Sequence, residues 1–223
     1  MQRAMRLLGT ATPGSRVDDL ATLSIGECNR RLITLRGLMF GDTVEAISRC
    51  SSCGAELEFS FELPDVCHNP RSDDMNKKPF VKQGYTVSFR APTSSDLLAV
   101  AAIPGMDAAR EELFRRCIIS ARYRKKAIPA DTIPPHVAEA LEEWIAQIDP
   151  LADIRVNLTC SSCQTSWDET FDIGSFFWHE IHAAALRIMR EVHELAMAYG
   201  WNEREILGMS PVRRETYLEM IGR

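Results

Sequence analysis

The chain has 223 residues, of which 45% are apolar, and a formal charge of −5. That apolar share is enough for one sizeable core or two small ones. The acidic balance argues against a general polyanion binder, and no stretch is apolar for long enough to span a membrane. Seven cysteines follow an N-terminus, Met1-Gln-Arg-Ala-Met-Arg-Leu-Leu-Gly9, that lacks the apolar run of a signal peptide, so a reducing, cytoplasmic place of synthesis is expected.

In chain order, residues 1–20 are of mixed character and read as loose. Ser24-Ile-Gly-Glu27 fits a capping box and opens a helix with Cys28, Leu32 and Leu35 on one face, bracketed at its end by Gly37 and Gly41. Cys50-Ser-Ser-Cys53 follows, and then an alternation of Leu57, Phe59, Phe61 and Leu63 that marks a half-buried strand. A Pro-rich, charged loop (Pro64 to Pro79) holds Cys67-His68, read as an exposed loop rather than a metal pair. Tyr85, Val87 and Phe89 alternate as a strand. Ala91-Pro-Thr-Ser-Ser-Asp96 caps a short helix through Leu97, Leu98 and Val100, which Pro104-Gly105 breaks.

Asp107 is placed to cap a further helix with the stripe Leu113, Phe114, Cys117, Ile118 and Ala121, whose end carries the basic run Arg115 to Lys126. Cations at a helix C-terminus suit the macrodipole, so a solvated face is the plain reading and an acidic-partner or phosphate patch the sharper one. Cys28 and Cys117 read as core packing. Pro134-Pro135 starts a helix with Val137, Leu141, Trp144, Ile145 and Ile148 inward, ended by Asp149-Pro150.

Ile154, Val156 and Leu158 alternate into Cys160-Ser-Ser-Cys163, followed by Trp167, Phe171 and Ile173. In the register of the first motif, Leu57 matches Trp167, Phe61 matches Phe171 and Leu63 matches Ile173. Each half reads as strand, knuckle, strand. Four thiolates in two C-x-x-C pairs are the ligand set of a tetrahedral structural zinc site, so Cys50, Cys53, Cys160 and Cys163 are expected to share one structural zinc ion. Two disulfides, a redox motif, unliganded thiols and two separate sites are the alternatives. A thioredoxin-like motif would precede a helix, whereas strands follow both pairs. Four thiolates leave no open position for a catalytic water. Closing a loop of about a hundred residues costs about 4–5 kcal/mol, less than the roughly 10–16 kcal/mol that such sites gain from zinc.

Gly174-Ser175 opens a long helix to Tyr199, with Phe177, Ile181, Ala184, Ile188, Val192, Leu195 and Tyr199 at helical spacing and Trp178, Leu186 and Met189 widening the apolar surface. Gly200 stops it. Asn202 caps a short helix, and Ser210 with Pro211 opens a last one. His179-Glu180-Ile181-His182 differs from H-E-x-x-H in spacing, and His193 is too far along the same helix to complete a site. No phosphate loop, nucleophile elbow or paired carboxylates appear, so no enzyme activity and no small-molecule substrate are expected.

The residues resemble a family. His182 to Leu218, with Glu191-Val-His-Glu-Leu195, Tyr199-Gly-Trp-Asn-Glu203, Ile206-Leu207, Ser210-Pro211, Arg213-Arg214 and Tyr217-Leu218, resembles the end of the baseplate hub assembly proteins, or chaperones, of contractile-tailed phages and related phage-derived injection systems. Leu35-Arg-Gly-Leu-Met-Phe-Gly41, the two knuckles and Arg90 to Leu97 are similar too, and the likeness covers most of residues 20–222. It implies a non-catalytic role in building the hub beneath the tail tube, with hub or tail-tube initiator proteins as partners. The protein would be cytoplasmic during assembly and a candidate component of the particle.

The expected fold is α+β: a four-cysteine zinc ribbon built from two distant β-hairpins, with a helical insertion and a helical C-terminal arm. The parts are an N-terminal segment and helix (1–41), half-ribbon one (42–63), the insertion (64–150), half-ribbon two (151–173) and the arm (174–223). Trp178, Trp201, Arg213, Arg214 and Tyr217 are the expected partner contacts, since aromatics and arginines dominate interfaces. The rival function is a zinc-ribbon nucleic-acid-binding regulator, supported by the run Arg115 to Lys126 and opposed by the acidic balance.

Overall fold

The computed structural model describes residues 2–11, 17–67 and 78–222. Cys67 closes a short helix and its side chain is not described, and His68 lies outside the described residues. The chain is mixed α/β with small antiparallel sheets, and divides into two compact units, Met1–Ser175 and Phe176–Arg223.

In the first unit, α1 (Gln2–Ala11) turns Ala4, Met5 and Leu8 inward and packs on α2 (Val17–Ala21) and α3 (Ile25–Phe40). A helix therefore stands where the mixed N-terminal composition suggested loose chain: three apolar residues at i, i+1 and i+4 are enough once α3 offers a surface to cover. Ser24 caps α3 by accepting the Glu27 amide, and Glu27 pairs with Arg31 at 3.1 Å. Cys28 and Leu32 are fully buried on its inner face. Gly41 ends the helix at φ 87°, and the buried Arg36 guanidinium donates to the carbonyls of Gly41 and Thr43 at 2.6 and 2.8 Å.

The N-terminus of α3 is also held from far along the chain. The buried Asp149 carboxylate accepts the Gly26 amide at 3.0 Å and the Ser24 hydroxyl at 3.2 Å. A methyl group on Gly26 would stand 2.1 Å from Asp149 Oδ1, so the close approach requires glycine.

Two antiparallel strand pairs follow the same plan. Strands β1 (Thr43–Arg49) and β2 (Glu56–Glu62) pair with Ser48 opposite Leu57 and Val44 opposite Phe61. Helix α4 (Leu63–Cys67) follows β2, with Leu63 buried.

The segment between the pairs carries its own core. Strands β3 (Phe80–Lys82), β4 (Tyr85–Phe89), β5 (Ile118–Tyr123) and β6 (Lys126–Ile128) form a four-stranded antiparallel sheet in that order. Phe80, Val87 and Ala121 from the sheet meet Val137 and Leu141 of α7 (Pro135–Ile148). Helix α5 (Ser94–Val100) has a full capping box between Thr93 and Asp96.

Helix α6 (Met106–Cys117) departs from expectation twice. Its N-cap is Gly105, with Asp107 in the first turn making no cap bond, and it ends at Cys117. Ile118 to Tyr123 is strand, because the exposed ladder of β4 supplies hydrogen-bond partners that override a helical spacing of apolar residues; Ala121 faces Val87 across that ladder. The basic run is consequently divided among a helix end, a strand and a hairpin turn.

The second strand pair is β7 (Arg155–Thr159) with β8 (Ser166–Thr170), Leu158 lying opposite Trp167. Helix α8 (Ile173–Tyr199) then leads into the second unit, where it is followed by α9 (Glu203–Leu207) and α10 (Pro211–Ile221). Gly200 at φ 68° stops α8, Asn202 and Glu205 box the start of α9, and Ser210 caps α10 with Pro211 in its first turn.

Candidate metal centre

The turn of each strand pair is built by the same hydrogen bonds. The Cys50 amide donates to the Ala55 carbonyl and the Gly54 amide to the Cys50 carbonyl, both at 2.9 Å; Cys160 with Thr165 and Gln164 with Cys160 repeat them at 2.9 Å. The residue after the second cysteine is left-handed in both turns, Gly54 at φ 75° and Gln164 at φ 60°. This conformation bends the chain back so that both sulfurs of a pair point to one side.

The two turns meet. Cys50 Sγ stands 3.7 Å from Cys163 Sγ, and Cys53 Sγ stands 3.7 Å from Cys160 Sγ. All four sulfurs lie within 4.8 Å of one another, and among the described residues they are the one group of three or more such side chains placed to hold a metal ion. A regular tetrahedron with metal–sulfur bonds of about 2.3 Å has sulfur–sulfur edges of about 3.8 Å. The two 3.7 Å separations match such an edge and are well beyond the ~2.0 Å of a disulfide.

Cys50 and Cys160 are buried, Cys53 and Cys163 face outward. Hydrogen bonds with the Thr165 hydroxyl and amide hold the Cys163 thiol down to about 6, and the amides of Cys163 and Ser162 lower that of Cys160. At Cys53 a lowering hydrogen bond from the Ala55 backbone is outweighed by the crowding sulfurs of Cys163 and Cys160, which push the thiol up to about 12. The set can lose some protons unaided and resists losing all of them. A bound cation removes that resistance, as expected where metal binding and deprotonation are linked.

Side chains behind the sulfurs fix the two strand pairs face to face. Glu169 accepts the Ser48 hydroxyl at 2.6 Å and the Trp167 indole N–H at 2.9 Å, and these bonds lower its pKa. Phe61 and Phe171, matched in the sequence register, meet edge to face at 5.1 Å. The sequence gives one clue to Glu169, a lone carboxylate in the inward register between Trp167 and Phe171; it gives none to Asp149.

A family model described as T4 bacteriophage base plate protein matches residues 6–178. The chain belongs to that family. The match spans both cysteine turns and the segment between them. It stops inside α8, so the His182 to Leu218 stretch lies beyond it. No curated protein and no solved structure matches this base plate protein.

The remaining candidate residues of the base plate protein lie in its second unit. Trp201 stacks on Tyr199 at 4.5 Å and meets the edge of Tyr217 at 4.8 Å, and the Arg213 guanidinium lies over the Tyr217 ring at 5.7 Å. Trp178 is half-buried. Arg214 is turned inward: it is buried, bonds Glu191 at 2.9 Å and donates to the Met209 carbonyl at 2.8 Å. These bonds tie α10 to α8, so Arg214 is not an open contact. His179, His182 and His193 are exposed along α8.

Proposed function

We propose that this base plate protein is a non-catalytic structural or assembly protein in which Cys50, Cys53, Cys160 and Cys163 bind one structural zinc ion. The two turns then form a four-cysteine ribbon whose halves (42–63 and 151–173) flank the insertion (64–150) and precede the arm (174–223). Zinc would fix the insertion and the half-ribbons as one scaffold, from which the protein docks on a hub or tail-tube initiator protein of a contractile tail or injection system, in the manner of an assembly chaperone.

The gathering of four sulfurs within 4.8 Å of one another carries the metal reading, and the family match carries the base plate reading. Trp201, Tyr217 and Arg213 are the favoured contacts on the arm, with Trp178 near the start of α8 as a further one. Assembly takes place in the cytoplasm on this reading.

Metal analysis of protein purified without added metal tests the first part: one zinc per chain is expected, and Cys53→Ser with Cys163→Ser should abolish it. Co-purification from cells expressing the tail gene cluster tests the second. Recovery of a hub or tube-initiator component is expected, and its absence would count against the docking role.

A further inference from the structure

The first unit has two unmatched patches of opposite sign. Helices α6 and α7 and the turn before α7 enclose an open groove of about 720 Å³ with Phe114 and Ile133 among its lining. That volume is within the range of binding clefts, about 300–1,000 Å³. Arg110 is paired with Glu142 across it, and Arg115 with Glu112. Asp107, Glu111, Asp131 and Glu139 also line the groove and, among the described residues, close no ion pair. Four carboxylates are thus left over there, and no groove cation is.

The hairpin between β5 and β6 is the counterpart. Arg122, Arg124, Lys125 and Lys126 are all exposed at its tip, and among the described residues none closes an ion pair. The turn residues are Arg124 at φ 46° and Lys125 at φ 72°, positions that favour Asn-Gly because both need left-handed backbone. Two long cations hold a conformation that costs side-chain-bearing residues energy. The tip is also fixed in place: the Arg124 amide donates to the Gly84 carbonyl at 2.9 Å, and its guanidinium lies 5.3 Å over the Tyr123 ring.

We infer that the basic β5–β6 tip of one copy of this chain docks in the acidic α6–α7 groove of a second copy. Four unpaired cations meet four unpaired carboxylates, and the apolar lining takes the aliphatic stems of the arginine and lysine side chains. This association needs neither the metal nor the arm's partner.

Sedimentation of the purified full chain tests it. At about 0.05 M salt the protein self-associates, and association weakens at least tenfold at about 0.5 M as the charges are screened. Arg124→Glu with Lys125→Glu leaves monomers, as does Glu111→Lys with Glu139→Lys, and an equimolar mixture of the two variants associates again. Arg124→Asn with Lys125→Gly suits the turn better than the native pair, so it keeps the fold while removing two of the four charges, and it too is monomeric. A wild type that stays monomeric at low salt overturns the inference, as do variants that associate like wild type or a mixture that fails to associate. Binding of a nucleic-acid oligonucleotide through the tip without self-association would assign the tip to that partner and equally overturn it.

Discussion

Single residues set the tightest tolerances. Gly26 is the sharpest: any side chain there displaces Asp149, which satisfies an α3 amide and the Ser24 hydroxyl. Gly26→Ala should lose about 1–3 kcal/mol of stability in urea unfolding, the cost of leaving a buried polar group unpaired, and Asp149→Ala about as much.

Asp96 predicts a dependence on acid. Arg90 beside it, at 2.9 Å through Nη2, holds its carboxyl well below the usual carboxylate range, with Thr93 adding two hydrogen bonds. A carboxyl depressed by folding contributes stability that is complete above its unfolded value of about 3.9 and is lost as pH falls toward the folded one. Asp96→Asn should therefore be less stable than wild type at neutral pH, with the difference shrinking only below about pH 4; a constant difference from pH 7 to 3 would count against the assignment. Cys28 and Cys117 are inert by the same kind of reasoning, since burial pushes both thiols up, Cys117 to about 11.

Elements differ in how far local pattern foretold them. The cysteine turns were legible because spacing, the alternation after them and the matched pairs Leu57 with Trp167 and Phe61 with Phe171 all agree. The end of the chain was legible through its caps: Gly200, Asn202 and Ser210 stand where α8 stops and α9 and α10 start. Residues 118–123 were not, since Cys117, Ile118 and Ala121 satisfy a helical stripe and only the neighbouring β4 ladder decides for strand. Helix α1 was hidden for a related reason: its short apolar face gains meaning only from α3.

The two cysteine turns also make a prediction at this scale. Gly54 and Gln164 share a left-handed conformation, and a methyl group on Gly54 would meet no atom within 4 Å. Gly54→Ala should cost about 1 kcal/mol in thermal or urea unfolding through backbone strain alone, with metal content unchanged.

For the molecule as a whole, the sulfur cluster joins positions 107 to 113 residues apart. If zinc occupies it, removal by a strong chelator should lower the melting temperature of the first unit, and adding zinc back should restore it. An unchanged melt after confirmed metal removal would mean that protein contacts such as Phe61–Phe171 and Ser48–Glu169 suffice to hold the two strand pairs together.

The same long closure has a consequence during synthesis. Ribosomes add about 5–20 residues per second, so the first cysteine turn leaves the exit tunnel several seconds before its counterpart exists. Through that interval the β1–β2 hairpin presents two bare thiols and a half-covered aromatic row to solvent. A truncated nascent chain ending before Cys160 should be more readily alkylated at Cys50 and Cys53 than the finished protein, a difference that pulse labelling of stalled translation products can read.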